Sequence, residues 1–179
     1  MGLLLICTFQ VGCENDLRDV EQISSKKLAI PVDTSKDVTI IYSDSSVVKA
    51  KLITPELLHF KIKNEYYEMK KGVIVIFYDS NLQEKSRLTA DYAIRRVNEK
   101  ITEFRKNVII TGSKGETFKS EELLWDENKK KFISNQPVVI NTKSGTINGT
   151  GFEAPENNLS KFQIFQGNGN VDLPSNPGF

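Results

Sequence analysis

The sequence is poor in the residues on which metal and acid–base chemistry depend. It has one His and two Cys in 179 residues, which argues against a metal site built from His and Cys ligands and gives no support to a Ser-His-Asp triad. The Gly-rich stretches GNGN and GTGF follow no strand-to-helix pattern, which excludes a phosphate-binding loop. We therefore predict no catalytic constellation, no metal site and no cofactor.

The chain also lacks an excess of either charge. The 24 Lys and Arg residues face 23 Asp and Glu residues, which gives a net charge of +1. A nucleic-acid-binding surface usually carries a clear basic excess, so this balance argues against one. The basic turns NEKITEFRK and ENKKKF are interpreted as solvated turns, with contact to anionic headgroups as the alternative.

No apolar run is long enough to cross a bilayer as a helix, which takes roughly 20 residues. The longest one, MGLLLICTFQVGC, is uncharged and gives way abruptly to ENDLRDVEQ. It matches the apolar core of a secretory signal, and Gly12-Cys13 resembles a lipoprotein cleavage box. We predict a signal peptide over residues 1–12, without the basic segment that usually comes first, and lipidation of Cys13. The alternative is a frayed apolar terminus with two inert Cys. If Cys13 carries lipid, no disulfide is available.

The rest of the sequence divides by its pattern. Residues 13–36 are polar and predict a tether, residues 37–174 predict a β domain, and residues 175–179 predict a tail. The β domain shows short runs such as VTIIYSD, VVKAKLIT and VIVIFYDS, rich in Val, Ile, Tyr and Phe and bounded by Asp, Ser, Asn and Gly. These are the signals of strands and turns. TADYAIRRVNEK is the best helical candidate, but its position in the repeat predicts two strands around a turn near residues 95–98.

A repeat organises the strands. Similar runs begin at Val38, Val73, Val108, Val138 and Val171, with spacings of 35, 35, 30 and 33 residues. A fixed period in this range indicates a repeat architecture. Each unit is strand, turn, strand, polar turn and returning strand, and it must bury its apolar face against its neighbours.

Small residues lie at the centre of one strand in each unit: Ala90, Ser120 and Gly149. We interpret them as bends at which the chain passes from one sheet to a second sheet facing it. The predicted fold is all-β, an antiparallel folded-over sheet or open β-jelly-roll built from repeated strand-turn-strand units. Such a stack has exposed edges, and its last strand offers Val171 and Leu173 for pairing with a partner.

Strand alternation predicts the residues that line the interior. Those proposed as a lipid-binding groove are Ile40, Tyr42, Leu52, Phe60, Val73, Val75, Phe77, Leu88, Val108, Ile110, Phe118, Val138, Ile140, Ile147, Phe162 and Ile164, and Ala50, Ile62 and Ala90 fall on the same face. Trp125 is expected to cap the end of this interior, with a membrane or partner contact as the alternative. His59 is expected to face outward with Lys61. The pattern does not distinguish an open groove from a packed core.

The order and spacing of several short motifs resemble the LptC family, the periplasmic component of the lipopolysaccharide transport system. The motifs are GVIVIFYDSNLQEKSRLTADYA, then NVIIT and GETFKSEELLWDENKKKFIS, then VVI and SGTINGTGFEAP. The resemblance covers about residues 38–172. Members usually carry an N-terminal membrane helix, where this chain has a signal-like segment.

The resemblance implies a non-enzymatic conduit whose groove shields the acyl chains of lipopolysaccharide. It implies receipt from an inner-membrane ABC transporter and transfer to a bridge protein of the same fold through edge-to-edge strand pairing. With lipid on Cys13, the chain would be periplasmic and anchored in the inner rather than the outer membrane. The alternatives are a fully packed lipoprotein scaffold or adhesion module that binds only proteins, the soluble bridge protein itself, and, more remotely, a hydrolase.

Overall fold

The computed structural model describes residues 31–156, 159 and 161–171. The predicted signal peptide, Cys13, most of the tether, Leu173 and the tail lie outside this range. The described residues form strands joined by turns, and among them no helix is long and apolar enough to cross a membrane. The strands are β1 (Val32–Asp44), β2 (Val47–Phe60), β3 (Tyr66–Met69), β4 (Val73–Tyr78), β5 (Glu84–Ala90), β6 (Tyr92–Arg96), β7 (Ile101–Gly112), β8 (Thr117–Asp126), β9 (Lys131–Thr142), β10 (Gly145–Pro155) and β11 (Gln163–Val171).

All strand pairs are antiparallel and join into one 11-stranded sheet. β3 and β4 follow each other along one line, as do β5 and β6, so the chain runs as a meander in which each long strand pairs with the next. This confirms the all-β, folded-over sheet. TADYAIRRVNEK contributes the end of β5, all of β6 and the turn that precedes β7. It forms strands rather than a helix, as predicted, but its two strands flank Asp91, and the turn lies at residues 97–100 instead of 95–98.

Each long strand bends near its centre and thereby belongs to two halves of the sheet. Half I contains β4, β5 and the adjoining parts of β1, β2 and β7–β11, and half II contains β3, β6 and the remaining parts of the same long strands. The two halves face each other across an apolar interior. The hairpin turns of each half form a rim on the side away from the bends. Lys130 Nζ, in the rim of half II, lies 3.8 Å from Asp44 Oδ2, in the rim of half I.

The repeat marks the bends. Val38, Val73, Val108 and Val138 are each the first residue of a half I segment after a bend. Positive φ angles precede three of them, at 50° for Asp37, 91° for Gly72 and 51° for Asn107. The fifth valine differs, because Val171 ends β11 opposite Gly145.

Two of the three predicted bend residues lie at the bend line. Ala90 ends β5 immediately before it, and the ladder between β8 and β9 is interrupted after Ser120. In β10 the shift falls between Thr150 and Phe152, where Gly151 has a φ of 79°. The bend prediction for Gly149 is therefore displaced by two residues. Gly149 serves instead for close strand approach, because a Cβ there would lie 2.3 Å from Ile164 Cγ2.

Hydroxyl groups satisfy carbonyls that the bends leave without a ladder partner. Thr54 is fully buried and donates to the Gly72 carbonyl at 2.9 Å. Ser120 donates to the Pro137 carbonyl at 3.0 Å. Each hydroxyl lies on a strand next to the segment whose carbonyl accepts its hydrogen bond. The same side-chain to backbone hydrogen bond therefore recurs at two places in the sheet.

β1 begins five residues earlier than the predicted domain boundary at residue 37. Its first residues, Val32–Lys36, pair with Phe60–Glu56 of β2 but are all exposed. Because β1 is the edge strand and this stretch buries no side chain, it has no apolar alternation that sequence inspection could detect. The tether prediction for residues 32–36 is corrected accordingly.

Candidate functional site: the interior trough

The predicted groove residues mostly line one interior surface. Those that belong to the buried core are Leu52, Val73, Val75, Phe77, Leu88, Val108, Ile110, Phe118, Val138 and Ile140, while Ile40, Tyr42, Ile147, Phe162 and Ile164 pack against it half-buried. In half I, Ile40, Leu52, Val75, Leu88, Ile110, Phe118, Ile140 and Ile147 occupy successive register positions on neighbouring strands. Side chains from all these strands thus form a continuous apolar row.

Phe60 is the exception, and its assignment to the groove is corrected. It lies outside the buried core and stacks on Tyr66 with ring centroids 4.3 Å apart. The interior positions of β2 are Leu52 and Thr54 before the bend but Leu57 after it. The bend therefore shifts the alternation by one residue, which moves every later side chain to the opposite face. Ile62, predicted on the same face, is 40% exposed.

The same shift turns His59 inward, against the prediction that it faces outward. Its ring stacks on Tyr67 at 4.4 Å, and Tyr67 packs against the core. Its Nε2 lies 2.5 Å from Glu65 Oε1. Among the described residues no three His, Cys, Asp or Glu side chains cluster as metal ligands.

One part of the interior is open. A pocket of about 450 Å³ lies between the two halves near β7–β10. Its apolar floor is formed by Ile110, Phe118, Ile140, Phe152 and Phe162. Phe118 and Phe152 lie in contact at its centre, with ring centroids 4.4 Å apart. Four of these five residues were among the predicted groove residues, and Phe152, in the motif GTGFEAP, was not.

The entrance of the pocket is polar and carries both charges. Lys85 lies at the start of β5 and Lys114 and Lys143 lie in two turns of half I, and Glu116 and Glu156 also contribute. The Glu156 carboxylate accepts a hydrogen bond of 2.8 Å from Trp125 Nε1. Three lysines and two glutamates line the entrance, so lysines are in slight excess there. The sequence alone did not predict these three lysines as site residues, because single lysines at a protein surface are common.

Aromatic side chains close the mouth of the trough over β1–β4. We name this set the mouth seam: Tyr42 and Phe77 from half I, with Arg95, Trp125 and Phe132 from half II. The Trp125 ring packs edge-on against Tyr42 at 5.6 Å and against Phe77 at 5.4 Å, and Phe132 meets Phe77 at 5.4 Å. Trp125 is 5% exposed, so it contacts the opposite half rather than a surface partner.

The arginine of the mouth seam belongs to a half-buried ion pair. The Arg95 guanidinium lies 5.0 Å from the centre of the Tyr42 ring and forms a bidentate pair with the Glu127 carboxylate. Their side chains are only 16% and 22% exposed. Burial raises the pKa of the Tyr42 hydroxyl above its usual value, although the positive charge of Arg95 opposes this shift.

Comparison with known proteins agrees with this architecture. The family described as lipopolysaccharide-assembly, LptC-related, matches residues 2–161 of the chain. The chain belongs to the LptC family. Members of the LptC family are periplasmic components of lipopolysaccharide transport associated with the cell envelope, and they are not enzymes. No match to this LptC-family chain was found among curated proteins.

Proposed function

We propose that this protein binds lipopolysaccharide in the periplasm and shields its acyl chains in the interior trough. In this proposal it receives the lipid from an inner-membrane ABC transporter and passes it to a bridge protein of the same fold. A lipid on Cys13 anchors the chain to the inner membrane. The proposal rests on membership of the LptC family together with the open apolar pocket.

The pocket is the observation that carries the proposal. Its volume of about 450 Å³ falls within the range of roughly 300–1,000 Å³ that is usual for ligand sites. Aromatic and aliphatic side chains line its floor, so an acyl chain entering it gains about 25 cal/mol for each Å² of apolar surface buried. Apart from Phe60, the remaining predicted groove residues continue this apolar surface away from the pocket and are proposed as further acyl contacts.

The charge at the rim suits an anionic amphiphile. Lys85, Lys114 and Lys143 surround the entrance, where the phosphate groups of a lipid would remain when its chains are inside. Each lysine is a flexible point charge that follows a phosphate without demanding one geometry. The proposal therefore places the acyl chains against Phe118 and the phosphates against these lysines.

The two outer strands support transfer by edge pairing. Within the described part of the chain, β1 pairs only with β2, and β11 pairs only with β10. Each therefore presents backbone N–H and C=O groups on its outer side, as a strand that accepts another strand does. Val171 lies at the end of β11 and is proposed, with Leu173, as part of the edge that meets the bridge protein.

Site-specific photocrosslinking tests lipid binding. A photoreactive residue at Phe118, which is buried at the pocket, is compared with one at Lys119, which is exposed on the other face of β8. We expect lipopolysaccharide to label position 118 and not position 119. Lys114→Glu combined with Lys143→Glu should weaken labelling at 118, while Lys36→Glu with Lys49→Glu serves as a charge-matched control away from the rim.

The alternative function as a scaffold that binds only proteins makes a different prediction. If the interior never admits a lipid, position 118 gives no more lipid adduct than position 119. That result would remove the lipid-binding proposal and leave edge pairing as the only interaction. Loss of pairing with a bridge protein while lipid labelling persists would instead separate the two parts of the proposal.

A further inference from the structure

The interior is not equally accessible along its length. Next to β7–β10 it holds the open pocket, whereas the mouth over β1–β4 is closed by the mouth seam. Beneath that seam, Leu52, Val75, Leu88 and Met69 are each at most 1% exposed, so this part is filled by the protein's own side chains. A lipid in the pocket has no apolar path toward β1 while the seam stays closed.

The contacts of the seam are cross-sheet contacts rather than neighbours on one strand. Tyr42 and Phe77 belong to β1 and β4 of half I, whereas Trp125 and Phe132 belong to β8 and β9 of half II. Edge-to-face aromatic pairs of this kind contribute modestly to stability beyond their buried area. A few such contacts hold the two rims together without any covalent link, and this is an energy that binding of a lipid or partner can overcome.

The ion pair opposes the passage of an acyl chain through the closed seam. Arg95 and Glu127 satisfy each other, and Arg95 also donates to Thr102 Oγ1 at 3.3 Å. An acyl chain pushed against this site would strip water from the charged groups and offer no hydrogen bond in return, which is costly. The lipid therefore passes only if the rims separate and carry the charged groups apart from its path.

Among the described residues, β1 is the strand of the mouth seam with the fewest neighbouring strands. It is an edge strand that pairs only with β2 among the described residues, and its register shifts between Tyr42 and Ser43. The following turn has two positive φ angles, at Ser45 and Ser46. Tyr42 therefore lies beside a register shift and close to the turn that ends β1, and a displacement of this segment would remove it from both Trp125 and Arg95.

We propose that the mouth seam is a gate, which opens by displacement of the Tyr42 segment of β1 and admits lipid to the interior between β1 and the pocket. This inference rests on the proposed lipid-binding function and adds to it the residues that control how far along the trough a lipid reaches. Trp125 also couples the gate to the pocket, because its hydrogen-bond partner Glu156 lines the pocket entrance.

The chain has a natural reporter beneath the gate. Of its two methionines, Met69 is 1% exposed in the core and Met1 lies outside the described residues. Incorporation of photo-methionine therefore places a small photoreactive group under the seam at Met69. A Phe118→Met substitution adds the same reporter in the open pocket, so both sites are read in one protein by mass spectrometry of the lipid adducts.

The test uses purified lipopolysaccharide and the full chain. With the seam intact, we expect adducts at position 118 and background at Met69. Tyr42→Ala should raise labelling of Met69 from background to the level at position 118, and Arg95→Leu should do so independently. Tyr66→Ala is the matched control, since Tyr66 stacks on Phe60 away from the seam, and it should leave Met69 unlabelled.

The outcomes separate the two proposals. Equal labelling of Met69 and position 118 with the seam intact would overturn the gate, as would background labelling of Met69 in both seam variants while position 118 still reacts. Absence of adducts at position 118 would overturn the lipid-binding function itself and the gate with it. A folded Tyr42→Ala protein is verified beforehand by its thermal transition.

Discussion

Gly149→Ala should detach β11 from the edge of the sheet. Gly149 lies directly opposite Gly167 in the β10–β11 ladder. A Cβ added there would lie 2.3 Å from Ile164 Cγ2, 2.7 Å from the Gln166 carbonyl oxygen and 3.1 Å from Gly167 Cα. Two of these three atoms belong to the backbone of β11, so relief requires the strand itself to move.

The magnitude follows from two opposing effects. Overpacking of a methyl group into a site without room costs typically about 1–3 kcal/mol. Replacement of Gly by Ala in a strand returns about 0.4–1 kcal/mol by restricting the unfolded chain. The balance is a loss of up to about 2.5 kcal/mol in the docking of β11. Because β11 is held only by β10 among the described residues, we expect local release rather than global unfolding.

Hydrogen exchange followed by mass spectrometry measures this release. Amides of β10 and β11 should exchange faster in Gly149→Ala, while those of β4 and β5 remain protected. Gly112→Ala is the matched control, because its Cβ would meet the Glu116 carboxylate at 2.7 Å, and that flexible side chain can move aside. Unchanged protection of β11, or equal loosening by Gly112→Ala, would refute the argument that backbone proximity at Gly149 is what excludes a side chain.

Two further substitutions test groups in the sheet. Thr54→Val keeps the side-chain shape but leaves the half-buried Gly72 carbonyl without its donor, so urea denaturation should show a loss of about 0.5–1.5 kcal/mol. Thr39→Val, on the exposed face of β1, should change little, and equal stability of both variants would contradict the role of the hydroxyl. Burial, reinforced by the hydrogen bond to Glu68, raises the pKa of Tyr92 from 10.0 to about 12. Its neutral form therefore stabilises the fold below pH 10, and this contribution is lost as the pH rises toward 12. Tyr92→Phe should flatten that part of a stability–pH profile, and an unchanged slope between the two pH values would exclude Tyr92 as its source.

The sequence was sufficient for the architecture because the signals involved are local. Alternation in β2, β5 and β8 is set by the two-residue period of a strand, and turn residues separate the strands at regular distances. The recurring valines identified the repeat, and in the structure four of them mark the same position after a bend. The fifth, Val171, fits the spacing of the repeat but lies at the end of a strand and not after a bend.

Bends were harder to predict because they depend on backbone conformation. Phe60 and His59 each lie on the face opposite to the predicted one, because the bend in β2 shifts the alternation by one residue. The bends of β1 and β7 use Asp37 and Asn107 with positive φ rather than glycine, so composition did not reveal them. Gly149 showed the reverse error, as a glycine required by packing was interpreted as a bend.

The interior surface was predictable, but its openness was not. Ile110, Phe118 and Ile140 were assigned to the interior by alternation, and they do line the pocket. Whether space remains between the halves depends on side chains from distant segments, such as Leu159 and Trp125. No single-strand pattern contains that information, so the pocket and the seam emerge only when the two halves are seen together.

The meander has a consequence for how such a protein changes its length. When β3 with β4 and β5 with β6 are each counted as one long strand, each long strand in the described residues pairs only with the long strands next to it in sequence. Insertion or removal of one complete hairpin of long strands therefore leaves every other pairing intact. Two strands add about 9.5 Å to a sheet in the direction of its hydrogen bonds, and the rims and the apolar row would extend by the same step. The length of the sheet would therefore change in steps of one hairpin. Duplication of one bent hairpin would lengthen it without a new core.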